Sequence, residues 1–172
     1  SALEKIKSYE KKLSATGSHT AQVQNIHGLI YFLTKRPLQA INHFRKAIQA
    51  ETEIAPRQFV LYNLAAALFE TGELEETRKN LAEIQSNFLD QPSLLKFFYL
   101  RSRLHEKDGL HLPALEDALK ATPVQDDLQS HNLIANHIEQ VLNQFKETRP
   151  LERLLSEHQN SPFKELLERR IN

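Results

Sequence analysis

The chain has 172 residues, of which 40% are hydrophobic and 26% are charged. Its 22 basic and 22 acidic residues cancel, so no overall field would attract a phosphate backbone or an anionic membrane. Cysteine is absent, which excludes disulfides, thiolate metal sites and a cysteine nucleophile. These totals favour one compact soluble unit or one short solenoid, and they argue against nucleic acid and membrane insertion.

Apolar residues recur at helical spacing along the whole chain, and Pro, Gly, Asp and Ser separate the helical segments. Leu3, Ile6 and Leu13 mark a first helix within residues 1–16, and later apolar sets continue the pattern. Four prolines lie between segments or in a first helical turn, at Pro56, Pro92, Pro123 and Pro150. Alternation with a period of two is hard to find. The pattern therefore predicts an all-α fold.

The helical pattern repeats every 37 residues. Gly72 and Gly109 lie 37 residues apart, and each closes a helix that a second amphipathic helix follows. Four further series have the same interval. One lies in the first helices: Gly28, Ala65 and Ser102. Three lie in the second helices: first Ala40, Thr77 and Ala114; then Phe44, Leu81 and Ala118; and last Ala47, Ile84 and Ala121. Small side chains at these points allow two antiparallel helices to approach closely. We therefore expect helix crossings at the small residues.

This pattern resembles the tetratricopeptide repeat (TPR), a helix-turn-helix unit with small residues at its eighth, twentieth and twenty-seventh positions. The units that fit best span residues 21–54, 58–91 and 95–128. The resemblance implies one TPR-like domain over residues 1–172, built as a right-handed α-solenoid of antiparallel helix-turn-helix repeats. In it, residues 1–16 form an N-terminal helix and residues 129–172 form C-terminal capping helices.

The match to the family is uneven. The period is 37 rather than 34 residues, Thr77 and Ile84 stand where alanines are usual, and Arg101 replaces the usual leucine. After residue 125 the register fails, although helical spacing continues. We interpret the last helices as a cap, with docking of another part of the parent protein as the alternative. Methionine is absent, even at residue 1, so we expect a segment of a longer protein.

The resemblance also implies a concave groove lined by the first helix of each repeat. Ten residues are predicted to contact a partner there: Asn25, Phe32, Phe59, Tyr62, Asn63, Phe69, Lys96, Tyr99, Arg103 and Lys107. Such a groove, apolar at one end and basic at the other, suits a peptide or helix with a hydrophobic anchor and acidic flanks. The alternative is that Phe32, Phe59 and Phe69 are core residues.

Some family members grip the C-terminal carboxylate of chaperone tails with five polar and basic residues. Only Asn63 and Lys96 match that clamp here, although Arg101 and Arg103 lie near it in sequence. Chaperone-tail binding is therefore a minor hypothesis. An RNA-binding helical repeat would need basic residues at repeated positions, but Lys96, Arg101, Arg103 and Lys107 fall in one unit only.

No motif for catalysis or metal binding is present. The sequence contains no His-Glu-x-x-His, no phosphate-binding loop and no nucleophile elbow, and its paired histidines are six residues apart, on different helix faces. We therefore predict a non-enzymatic scaffold or adaptor without cofactor or metal that binds a protein or peptide. The alternative is a structural assembly or self-association module whose groove is filled by its own terminal helices. The compartment is open, with the cytoplasm favoured over the bacterial periplasm.

Overall fold

The computed structural model describes residues 4, 5, 8, 11, 20–123 and 127–172. Within these residues the chain is all-helical, with 79% helix and no strand, as the sequence predicts. The four isolated residues before position 20 are each helical. Leu3, Ile6 and Leu13, which mark the predicted N-terminal helix, lie outside the described residues, as does the segment 124–126.

Nine α-helices occur in the described residues, and the chain forms two compact units, residues 1–89 and 90–172. The first unit contains α1 (Thr20–Leu33), α2 (Pro37–Ala50), α3 (Ile54–Thr71), α4 (Leu74–Glu83) and a 3-10 turn at Ser86–Phe88. The second unit contains α5 (Gln91–Lys107), α6 (His111–Lys120), α7 (Leu128–Leu142), α8 (Arg149–Glu157) and α9 (Lys164–Ile171). The prediction of a single domain over residues 1–172 stays a prediction.

The helices begin at regular intervals along the chain. Helices α2, α4 and α6 begin at residues 37, 74 and 111, and α3, α5 and α7 begin at residues 54, 91 and 128, so each step is 37 residues. The predicted repeats 58–91 and 95–128 therefore begin four residues inside α3 and α5. The interval of helix starts continues into α7, whereas the series of small residues ends there, because the next position holds the exposed Glu139.

Three turns between a first and a second helix share one capping motif. A residue one or two positions after the first helix has a left-handed backbone in each case: φ is 62° at Lys35, 82° at Gly72 and 72° at Gly109. The following N–H donates to the carbonyl five residues earlier, in the pairs Arg36 and Tyr31 (2.9 Å), Glu73 and Leu68 (3.0 Å), and Leu110 and His105 (2.8 Å). This motif satisfies the last carbonyls of α1, α3 and α5 and turns the chain back.

The first unit is held together by a close crossing of α1 and α2. A Cβ atom on Gly28 would lie 2.4 Å from the Phe44 ring, so only glycine fits against that buried ring. Phe44 lies in a core with Ala40, Ala47 and Leu64, which joins α2 to α3. The predicted crossing at Gly28 is therefore confirmed, and Ala65 of α3 is fully buried as well.

The second unit has its own hydrophobic core, to which all five of its helices contribute. Leu115 of α6, Ile134 and Ile138 of α7, Leu154 of α8 and Leu167 of α9 are all fully buried in one cluster. Helix α5 adds Leu95 to the same cluster. The apolar spacing after residue 128 thus serves packing of α7, α8 and α9 onto the preceding hairpin.

Gly28→Ala should lower the free energy of unfolding by about 1–3 kcal/mol, because the added methyl group forces the Phe44 ring out of its place. This loss should exceed the gain in helix propensity from replacing glycine, which is about 1 kcal/mol. Chemical denaturation of the folded chain measures it. Gln22→Ala, at an exposed position of α1, is the control and should change little. Equal stability of Gly28→Ala and the parent chain would show that the crossing has room to relax.

Candidate partner-binding surfaces

In the first unit, two predicted groove residues from neighbouring first helices meet. The Asn63 side-chain amide donates a hydrogen bond to Oδ1 of Asn25, at 3.0 Å, which joins α3 to α1. Both asparagines are partly buried. The contact places the predicted first-helix surfaces of α1 and α3 side by side, as a helical repeat requires.

The aromatic residues predicted for the same unit differ in exposure. Phe69 is only 7% exposed, so its ring belongs to the core, which corrects its assignment as a partner-binding residue. Phe32 is partly buried and packs against the core of α2 and α3. Phe59 and Tyr62 are partly buried as well, and burial raises the pKa of Tyr62 to about 12. The prediction that these two rings meet a partner stays open.

In the second unit, the other four predicted residues lie along one side of α5. Lys96, Tyr99, Arg103 and Lys107 are spaced by three to four residues, which places them on a common helix face. Both lysines are exposed, and the Arg103 guanidinium carbon lies 5.9 Å from the centroid of the Tyr99 ring. Burial raises the pKa of Tyr99, so its phenol is neutral near pH 7. We call these four residues the α5 face.

A buried polar network lies behind the α5 face. The Ser102 hydroxyl is 2.5 Å from the carbonyl oxygen of Ala114 and 2.8 Å from Nε2 of His137. A carbonyl oxygen can only accept, so the single hydroxyl proton goes to Ala114 and His137 must donate from Nε2. Burial lowers the pKa of His137, which favours the neutral ring, and the hydrogen bond to Ser102 places its proton on Nε2. Ser102 thus ties α5 to both α6 and α7.

The order Ser102, His137, Glu106 has the residue types of a hydrolase triad but not its chemistry. His137 Nδ1 is 3.8 Å from Glu106 Oε2, and Glu106 Oε1 accepts a hydrogen bond from Gln140 at 2.7 Å. However, Ser102 is fully buried and its proton is committed to a backbone carbonyl, so it offers no nucleophile to a substrate. The Tyr99 ring meets the His137 ring edge to face, with centroids 5.4 Å apart. The network therefore positions Tyr99 on the α5 face.

Arg101 does not belong to the binding surface. Its guanidinium donates two hydrogen bonds of 2.6 Å to the buried carboxylate of Asp117, and it lies over the rings of Phe97 and Phe98. His105 Nδ1 is 3.3 Å from the same carboxylate. The arginine found where the repeat family has a leucine is thus a cross-link between α5 and α6. It is not available for the carboxylate clamp.

Sequence reasoning missed the partners that hold α5 in place, namely Asp117, His137 and Gln140. One signal for His137 was present, because it interrupts the apolar face formed by Ile134, Ile138 and Val141 of α7. A histidine in such a place is normally satisfied by a neighbouring helix, as His137 is here. Nothing local in the sequence identifies its partner, which is 35 residues away.

Comparisons with protein-family models, with curated proteins and with solved structures found no match for the chain. Among the described residues, no three His, Asp or Glu side chains are grouped closely enough to hold a metal ion. In the same part of the chain, none of the helices combines the length and the apolar character that a membrane span needs.

His137→Gln should flatten the pH dependence of stability. The native pKa of His137 lies below its ordinary value of 6.5, mainly through burial, so the unfolded state binds more protons as the pH falls below 6.5. Stability is therefore full above pH 6.5 and is lost on acidification towards the native pKa. Glutamine keeps an amide donor for Ser102 but does not titrate. Urea unfolding of both chains between pH 7 and pH 5 should show the smaller loss in the variant, and parallel curves would contradict the assignment.

Arg101→Leu should lower the free energy of unfolding by about 1–3 kcal/mol, because Asp117 would remain buried without its guanidinium partner. Arg101→Leu combined with Asp117→Leu should be more stable than the sum of the two single losses predicts. Denaturant unfolding of the four chains gives this coupling free energy. A coupling near zero would mean that the pair adds nothing beyond packing.

Proposed function

We propose that the chain is a non-enzymatic interaction scaffold of TPR-like helical repeats that binds a peptide or helix of a partner protein on its first helices. Support for the architecture comes from the 37-residue interval of helix starts and from contacts between consecutive helices. The hydrogen bond between Asn25 and Asn63 adds that α1 and α3 are neighbours.

The observation that carries the proposal is the α5 face. It combines two exposed lysines with Tyr99 and Arg103 on one side of a single helix. Aromatic and arginine side chains are the residues that most often dominate binding energy at interfaces, and lysines at the rim attract negative charge. The favoured partner is therefore a segment with an apolar anchor and acidic flanks.

Three other polar side chains of α5 form hydrogen bonds within the second unit, which supports the same proposal. Arg101, Ser102 and Glu106 make their hydrogen bonds to α6 and α7, so they keep the helix in a fixed position. A face that is held rigid before binding loses less conformational entropy when a partner arrives. The α5 face meets this condition through Tyr99, which rests on the His137 ring.

The second candidate function is self-association through the terminal helices. Leu128 and Leu133 of α7 are 73% and 49% exposed, so they are apolar side chains that another copy could cover. Size-exclusion chromatography with light scattering separates the candidates. A pure adaptor should remain monomeric at micromolar concentration, whereas a self-association module should form dimers that Leu128→Ser weakens.

Tyr99→Ala should weaken partner binding by about 1–3 kcal/mol, and Arg103→Ala should weaken it in a way that shrinks as salt is added. The partner is first isolated with the parent chain and its affinity is then measured by calorimetry. Lys120→Ala is the matched control, because it removes an exposed charge from α6 instead of the α5 face. Thermal melts of the same chains separate binding from packing.

Two results would count against the α5 face. If the Tyr99 and Arg103 variants fold normally and keep full affinity, the partner binds elsewhere, and helices α7 to α9 are the next region to test. If both variants lose stability without a selective loss of affinity, the two side chains serve only packing.

A further inference from the structure

The turn between α1 and α2 contains a strained residue where the equivalent turns have glycine. Lys35 is the only non-glycine residue with positive φ in the described part of the chain, and it occupies the same capping position as Gly72 and Gly109. Two backbone hydrogen bonds, one from the left-handed residue and one from the residue after it, are shared by the three turns. A residue with a Cβ atom is disfavoured in this conformation, so the fold alone would favour glycine at position 35.

The side chains around Lys35 form an exposed surface of unusual composition. Leu33 and Leu38 are 46% and 67% exposed, and Lys35 and Arg36 between them are exposed too. The Arg36 guanidinium carbon lies 5.3 Å from the centroid of the Tyr31 ring, which directs this charge along the end of α1. We call residues 33–38 the α1–α2 tip.

The equivalent turn of the next hairpin shows that the motif does not require these side chains. The positions that correspond to Leu33, Arg36 and Leu38 hold exposed glutamates there: Glu70, Glu73 and Glu75. Two turns with the same backbone thus carry opposite surfaces, one apolar and basic, the other acidic. The composition of the α1–α2 tip is not a consequence of its geometry.

In the hairpin that carries the tip, every Lys, Arg, Asp or Glu position holds a basic residue. Between Thr20 and Ala50 the basic residues are Lys35, Arg36, Arg45 and Lys46, and there is no Asp or Glu. Arg45 pairs with Glu76 of α4, at 2.6 Å, so one of the four charges is compensated within the unit. Lys46 lies near the other end of α2, so the charges at the tip are those of Lys35 and Arg36, which attract a negatively charged partner.

We propose that the α1–α2 tip docks an acidic segment of a partner protein. Leu33 and Leu38 contact an apolar side chain of that segment, while Lys35 and Arg36 pair with carboxylates on either side of it. The site is separate from the proposed function, because none of the ten predicted partner-binding residues belongs to the tip. In this proposal, lysine rather than glycine occupies the strained position because it supplies a charge at the point of contact.

An acidic protein segment fits the tip better than a lipid surface or a nucleic acid. Stable attachment to a membrane needs a larger apolar face or several basic residues, and the tip has two of each. Nucleic acid binding needs stacking rings or repeated phosphate contacts, whereas the exposed apolar side chains here are two aliphatic leucines.

The first test examines the strain at Lys35. Lys35→Gly should raise Tm by roughly 2–4 °C, since glycine adopts the left-handed conformation without cost. Gly72→Lys, the matched exchange in the next hairpin, should lower Tm by a similar amount. A Lys35→Gly variant that melts at or below the parent temperature would overturn the argument, because the lysine would then need no functional explanation.

The second test selects a displayed library of random 12-residue peptides on the immobilised parent chain. Enriched sequences should carry acidic residues on both sides of a bulky apolar residue. A synthetic peptide of the enriched sequence should bind about tenfold more weakly to Arg36→Gln and to Leu38→Ser. It should bind equally well to Lys120→Ala, which removes an exposed charge outside both the tip and the α5 face. Both tip positions are exposed, so these variants should fold normally.

Two results would overturn the proposal. In the first, the library shows no enrichment over an empty support. In the second, the enriched peptides bind the tip variants as tightly as they bind the parent chain. Two others would replace the partner class. Capture of the parent chain, but not of Leu38→Ser, by phosphatidylserine vesicles would indicate a lipid surface. Dimers that dissociate in Arg36→Gln would indicate the acidic turn of a second copy.

Discussion

The close approach of two antiparallel helices in each hairpin is the constraint on which the rest of the structure depends. In the first hairpin a glycine admits the Phe44 ring, and a Cβ atom on Gly28 would collide with it. The equivalent positions of the second hairpin hold Ala65 and Leu81, and those of the third hold Ser102 and Ala118. All four side chains are buried. The first side chain thus grows from one hairpin to the next while the second shrinks, which partly offsets the change in side-chain volume.

The third crossing adds a polar requirement that the first two lack. A hydroxyl placed at a buried helix contact must form hydrogen bonds, and Ser102 finds them in Ala114 of α6 and His137 of α7. The same packing choice that brings α5 close to α6 therefore also fixes α7. Glu106 and Gln140 extend the connection one helical turn further. Packing and polar contacts thus hold the second unit together at the same place.

Features with a local or periodic signal could be predicted from the sequence. The helices, the 37-residue interval and the turns at Gly72 and Gly109 all follow from spacing and from single residue types. The left-handed residue at position 35 could not, because lysine gives no sign of that conformation and only the backbone reveals it. The partner of Arg101 could not either, since Asp117 is 16 residues away and meets it only after two helices have packed. Of the predicted site, the common face of α5 follows from helical periodicity, whereas the burial of Phe69 depends on tertiary packing.

Arg101 and Arg103 show why a count of basic residues overestimates the charge that a partner meets. Residues two positions apart on a helix are separated by about 200° around its axis. Arg101 therefore contacts Asp117, whereas Arg103 lies near the Tyr99 ring. The charges on the α5 face are then those of Lys96, Arg103 and Lys107. The first two are seven residues apart, or about 10 Å along the helix, and the last two are about 6 Å apart. An extended chain rises about 3.3 Å per residue, so carboxylates three and then two residues apart would match these three cations. Under the proposed function, we therefore expect this spacing, rather than total charge, to select an acidic partner of the α5 face.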